Sequence, residues 1–196
     1  MQIAEMLVPA PAKAIPDRRF EIKERTADIH ELLDQRVGSF DSLSNYRRYL
    51  QGIARFRFDI ERTLQIAHWP AEWNGWHPPF IAPALERDLS AMGLEISRKP
   101  SRRPDITSVS QLLGLLYVVV GSSLGARLLV VRAAALDIHK GNGAMHLAVM
   151  SNDIAPWRQF LSCLNAWEPF DLELAVSTAR SAFHQAIDGF VDTVDE

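Results

Sequence analysis

The stretch Leu112–Leu129, LLGLLYVVVGSSLGARLL, decides how the chain is read. It lies within residues 106–126, a run of 21 positions that holds no charged side chain. A run of that length is long enough to cross a bilayer. It also carries Thr107, Ser108, Ser110, Gln111, Ser122 and Ser123, and Arg127 and Arg132 follow on the same expected helix. That polar content favours the central helix of a soluble protein over a membrane span. Gly114, Gly121 and Gly125 are spaced by seven and four, which puts all three on one helical face. Each interior glycine costs about 1 kcal/mol relative to alanine. A stripe of them leaves bare backbone, which serves either close packing against another helix or close approach to something flat. Spacing alone leaves both readings open. Ser122 and Ser123 can bond to carbonyls one turn back, which loosens and bends a helix.

Outward from this stretch, helical spacing recurs and no alternating strand pattern persists. Asp17 is placed to cap a helix that runs to about Val37, with Ile22, Ile29 and Leu33 on one stripe and Gly38 as its stop. Asp41 or Ser42 opens the next helix, which carries Tyr46, Tyr49, Leu50, Ile53, Phe56 and Ile60. The loop His68–Phe80, HWPAEWNGWHPPF, is broken by prolines and plugged by Trp69, Trp73 and Trp76. A helix over Ala82–Met92 stops at Gly93, and the basic segment Ser97–Asp105 reads as a solvated loop. The apolar helix is expected over Ser108–Ile138, a loop with Gly141 and Gly143 follows, and further helices span Ile154–Leu164 and Asp171–Val194. The fold class is therefore all-α, a single-domain bundle of six or seven helices over residues 17–196. Residues 1–16, with Pro9, Pro11 and Pro16, form an extended lead-in.

Composition narrows the function classes. The 196 residues hold 21 Lys and Arg against 24 Asp and Glu, a net charge of −3. That balance gives no electrostatic case for nucleic acid or for an anionic membrane surface. The single cysteine, Cys163, forms no intrachain disulfide and no multi-cysteine zinc site. The N-terminus has no basic residue ahead of its short apolar stretch, unlike a secretory signal. Together these features point to a cytoplasmic protein. There is no P-loop, no dinucleotide fingerprint and no Ser-His-Asp order.

A second segment, KERTADIHELLD over Lys23–Asp34, contains His30, with Ala27, Leu33 and Val37 near its face. A lone histidine is commonly a surface or core residue without a ligand role. It cannot by itself build a zinc or non-haem iron site, because no second histidine or carboxylate stands at ligand spacing. One histidine is enough for haem iron, since the porphyrin supplies four ligands. Lys23, seven residues earlier, lies on the same face about 10 Å along the axis, a distance suited to a haem propionate. A solvated lysine is the alternative.

Both segments carry a family resemblance. The first matches through Phe20, Thr26, His30, Leu33 and Asp34. The second matches through Leu113, Gly114, Leu116, Tyr117, Val118, Gly121, Ser122, Leu124 and Gly125. Weaker echoes are Tyr46, Tyr49 and Leu50, and Trp157, Phe160 and Leu164. From about Phe20 to Phe190 the chain resembles the bacterial haem oxygenases, the biliverdin-producing type associated with bacteriophytochromes. The resemblance implies a haem-oxygenase-like helical bundle and a haem-cleaving activity that yields biliverdin, iron and carbon monoxide. Haem would be both substrate and cofactor, with O2 and an external reductant. By the same resemblance His30 is the proximal iron ligand, Gly121 and Gly125 are the distal glycines, and Ser122 belongs to the distal polar network. Lys23 falls near a propionate. Tyr117, Arg127 and Arg132 are further haem-binding candidates. The implied partners are a ferredoxin or reductase and a bacteriophytochrome as product acceptor. Lys99, Arg102, Arg103 and Lys140 would guide an acidic donor, or else form a solvated basic surface. Val120 stands where the bacterial motif commonly has glutamate, and Ala126 where it often has glycine. The first departure bears on turnover more than on haem binding. It keeps a second reading open, a non-catalytic haem binder or sensor on the same fold. A third is a helical interaction protein whose glycine face is a packing seam.

Overall fold

The structure, a computed structural model, describes residues 17–95 and 105–191. The expected lead-in and most of the basic segment at 97–105 lie outside the described residues. Those described form seven α-helices: α1 Arg18–Val37, α2 Leu43–Ile66, α3 Ala82–Ala91, α4 Val109–Ala134, α5 Met145–Ser151, α6 Ala155–Ala166 and α7 Leu172–Val191. A 3-10 turn, Ala71–Trp73, follows α2. The all-α expectation holds.

The boundaries follow from local chemistry. α1 stops at Gly38, whose φ of +67° suits glycine. The Ser42 side chain caps α2 by accepting from the Asn45 amide at 3.2 Å. A capping box opens α4, in which Ser108 Oγ accepts from the Gln111 amide at 3.2 Å and Gln111 Oε1 from the Ser108 amide at 3.1 Å. Asp171 Oδ1 accepts from the Leu174 amide at 2.9 Å, capping α7. Three expectations need correction. The Asp17 carboxylate makes no cap bond and pairs with Arg19 instead. α4 ends at Ala134, short of Ile138, because the chain turns through Asp137 at φ +59°. The segment around Gly143 is followed by a short helix, α5, that periodicity did not reveal.

α7 is the pillar of the bundle and packs against α1, α2 and α4. It crosses α2 closely: a Cβ on Gly189 would lie 2.7 Å from the Gly52 carbonyl oxygen. The main core joins α4, α6 and α7 through Leu112, Leu116, Phe160, Leu164, Val176 and Phe183, with Ile22 and Ile29 from α1. A second core gathers Tyr46, Tyr49, Leu85, Leu89 and Leu147 from α2, α3 and α5. The tryptophan loop is plugged as expected: Trp73 is buried, Trp69 and Trp76 pack around it, and the Trp69 indole donates to the Leu64 carbonyl at 2.9 Å. α4 is long and apolar enough by length and composition to cross a membrane. Its burial is concentrated in the first half, where Leu112, Leu113, Leu115 and Leu116 are fully covered. Leu124, Leu128 and Val131 of its second half are exposed.

Candidate functional site

The position of α1 relative to α4 follows from what each touches on α7. Along α1, Arg25 pairs with Glu173 at 2.5 Å, Asp28 with Arg180 at 2.6 Å, and the His30 ring meets Phe183 at 5.5 Å between centroids. Along α4, Ser110 Oγ accepts from the Asp171 amide at 2.9 Å, and Gly114 lies against Ala175. Both helices therefore run along α7 in the same direction, and both lie mainly against it rather than against each other. Their register is read from α7, where Gly114 lies against Ala175 and the His30 ring against Phe183, eight residues farther along. Eight residues along α4 from Gly114 is Ser122, the neighbour of Gly121. His30 and Gly121 are thus close to level with each other, and Gly125 stands one turn, about 6 Å, beyond.

The glycine stripe divides in two. A Cβ on Gly114 would sit 2.8 Å from the Ala175 carbonyl carbon and 3.0 Å from its Cα, and closer still to the carbonyl oxygen. That glycine exists for helix packing. On Gly121 a Cβ would meet only Trp157, at 3.6 Å, and on Gly125 it would meet nothing within 4 Å. The same face continues with Leu124, Leu128 and Val131, which are 44, 55 and 67% exposed. The three stand at i, i+4 and i+7 and so form one continuous apolar strip beside the bare backbone.

The His30 side chain is 56% exposed, and its Nδ1 lies 3.1 Å from Asp34 Oδ2. A carboxylate at Nδ1 holds the ring proton there and leaves the Nε2 lone pair for a metal. The edge of the ring rests against Phe183, which sets its tilt. Lys23 is exposed on the His30 stripe. Among the described residues no group of three histidine, cysteine or acidic side chains is placed to hold a metal ion. A single-histidine ligand set is what the fold offers.

Burial pushes the Tyr117 phenol upward, opposed by Thr26 and by the nearby positive charge of Arg19. The Ser122 hydroxyl donates to the Val119 carbonyl at 2.7 Å, so toward the cleft it offers acceptor lone pairs. Arg132 is exposed on the glycine face. Arg127 is exposed too but stands about 200° around the helix from Gly125, off that face. Val120 is buried, about 100° around the helix from Gly121, and lines a cavity of about 470 Å3 with Arg57, Val119 and Ser123. Sequence reasoning missed Phe183 and the buried Arg57–Glu61 pair, and it named Trp157 only as a weaker motif echo, not as the neighbour of Gly121. The signal for that pair was an i, i+4 Arg and Glu between Phe56, Ile60 and Leu64, on the apolar side of α2.

No family model matches the chain. Heme oxygenase PigA of Pseudomonas aeruginosa is 30% identical over 168 residues, which cover 82% of this chain and 84% of that protein. The chain belongs to the haem oxygenase family. Among solved structures, the NO- and CO-bound heme oxygenase of Neisseria meningitidis superposes with a TM-score of 0.73 at 26% identity. That match covers 91% of this chain and 92% of the Neisseria chain. This haem oxygenase is accordingly a haem-degrading enzyme on the bacterial all-α fold.

Proposed function

We propose that haem is held between α1 and α4, with His30 Nε2 on the iron and the bare backbone of Gly121–Gly125 on the opposite side. The observation that supports this is the register on α7, where His30 at Phe183 and Gly114 at Ala175 bring His30 and the open glycine segment to adjoining levels. The residues fit the group. An imidazole with a free Nε2, a glycine strip where a Cβ at position 125 meets nothing, and the apolar run Leu124, Leu128 and Val131 suit a flat, greasy macrocycle with one axial ligand. When bound, haem supplies the redox-active iron and is itself the molecule cleaved, with O2 as oxidant and electrons from an external donor.

The protein's own part is positional. Asp34 and Phe183 orient the His30 imidazole. Lys23 and Tyr117, on one side of the His30 level, offer a cation and a hydroxyl to the propionates; Arg132, about 27 Å farther along the bundle from Lys23, stands at the other end of the segment and is not part of that set. Gly121 and Gly125 would let the α4 backbone approach the bound group closely, because neither carries a side chain to hold it off. Ser122, whose hydroxyl hydrogen is given to the Val119 carbonyl, would accept a hydrogen bond from a water and so hold that water beside the site. The products are biliverdin, iron and carbon monoxide. The electron donor is a ferredoxin or reductase, the pigment acceptor is a bacteriophytochrome, and the enzyme works in the cytoplasm.

Hemin titration tests the site. The wild-type protein should develop a histidine-ligated Soret band that His30→Ala abolishes or shifts. A reductant in air should then bleach that band and raise a bile-pigment absorbance. Gly125→Leu should block binding or turnover. A His30→Ala spectrum identical to wild type, or undisturbed affinity and turnover in Gly125→Leu, would overturn the placement.

A further inference from the structure

Arg57 of α2 is 2% exposed. Its Nε donates to Glu61 Oε1 at 2.9 Å, and one terminal nitrogen lies 2.8 Å from the same oxygen. The other terminal nitrogen donates to the Val119 carbonyl at 3.1 Å. Glu61, itself 1% exposed, accepts the amides of Ile81 and Ala82 at 2.9 Å each, and so caps α3 from another helix. One buried pair thereby joins α2, the start of α3 and α4. The carbonyl that it grips stands two residues before Gly121 and also accepts the Ser122 hydroxyl at 2.7 Å.

The surroundings give this contact its meaning. From Gly121 to Gly125 the front of α4 faces the cleft, where a Cβ at position 125 would meet nothing. Behind it lies the cavity of about 470 Å3, lined by Arg57, Val119, Val120 and Ser123 among others. Val118, Val119 and Val120 are packed in the core, but residues 121–125 are half-buried or exposed, so side-chain packing holds the glycine segment less firmly than the turn before it. A charge-assisted hydrogen bond is directional and short-ranged, so it can fix a backbone position that loose packing leaves free. Burying an ion pair is also a poor route to stability, which points to a positional use for this one.

We propose that Arg57 is the positioning residue of the glycine segment: its bond to the Val119 carbonyl sets how far α4 leans over the haem and so which porphyrin edge is attacked. The proposal rests on haem lying between His30 and Gly121–Gly125. Arg57 touches neither haem nor oxygen and acts only through α4.

The test uses the hemin-loaded full chain and the variant Arg57→Met/Glu61→Gln, which removes both charges together and leaves no orphaned ion. Thermal melting, hemin affinity, the CO stretching band of the reduced CO complex and the biliverdin isomer ratio are measured on each protein. Hemin affinity should stay close to wild type, because the His30 wall is untouched. The CO band should broaden or shift, and isomer selectivity should fall about tenfold, a barrier difference of about 1.4 kcal/mol. A lower melting temperature with an unchanged band and isomer ratio would overturn the proposal and leave Arg57 a purely structural residue. If the double variant does not fold, Arg57→Lys answers the same question. An ammonium keeps the ion pair but lacks the planar fork that spans Glu61 and Val119, so the same two readouts should move. Failure of the wild-type protein to bind hemin would instead refute the haem site itself.

Discussion

Gly114→Ala and Gly125→Ala are the same chemical change on one face of one helix, and the structure gives them opposite signs. At position 114 the new methyl would sit 2.8 Å from the carbonyl carbon of Ala175 and 3.0 Å from its Cα. Carbon atoms are comfortable at about 3.5–4.0 Å, so α4 and α7 must part by roughly 1 Å. The obstacle is backbone and cannot swing aside, so the strain belongs near the upper end of the overpacking range, about 3 kcal/mol. Helix propensity returns about 1 kcal/mol. The net loss is about 2 kcal/mol, or a melting temperature lower by roughly 4–8 °C for a chain of this size. At position 125 the methyl meets nothing within 4 Å. Only the propensity gain remains, about 1 kcal/mol and roughly 2–4 °C of added stability. Thermal and urea unfolding of the haem-free proteins, followed by far-UV circular dichroism, measures both. Hemin titration adds the second half: Gly125→Ala should bind hemin more weakly than wild type although its apoprotein is more stable. Equal shifts of the same sign at the two positions would refute the division of the stripe into a packed glycine and a cleft-facing one.

Two further outcomes follow from the charge network. The hydrogen bond from Arg180 holds the Asp28 carboxyl down at about 2, against an ordinary 3.8. A lowered carboxylate contributes stability above its unfolded value and loses it as pH falls through the folded one. Arg180→Met should therefore flatten the urea midpoint's dependence on pH between about 4 and 2, and an unchanged acid limb would refute the pairing. In the second core the Asp88 carboxylate accepts from the Met145 and His146 amides at 2.8 Å and from His146 Nδ1 at 2.7 Å. Asp88→Asn turns one acceptor oxygen into a donor facing donors. It should cost about 2–3 kcal/mol, or roughly 4–12 °C by calorimetry, and a loss below 1 °C would count against the network.

What the sequence made legible was whatever local chemistry controls. Gly38, Ser42 and Gly93 punctuate helices by their own conformations or side chains, and those boundaries stand close to expectation. α5 escaped because its first two amides are capped by Asp88, 57 residues away from Met145. No local window contains that cap. The glycine stripe was legible as a stripe, but periodicity carries no information about what lies opposite. Only the fold distinguishes Gly114 on Ala175 from Gly125 over open space. His30 was legible as a ligand candidate only through its family motif, since one histidine on a polar helix says little alone. Thr26, which lies beside the Tyr117 phenol, is 91 residues away on another helix, and that proximity could be found only in three dimensions.

The aliphatic ridge of Leu124, Leu128 and Val131 has a consequence for the life of the protein outside its catalytic cycle. Covered by a ligand, it is interior; uncovered, it is a sticky strip on the surface. Solubility then becomes tied to supply: a ligand at a hundred times its dissociation constant adds about 2.7 kcal/mol to the folded state. A cell rich in haem would keep this enzyme dispersed and resistant to proteases. Scarcity would expose the ridge to chaperones, to proteolysis and to other copies of the chain.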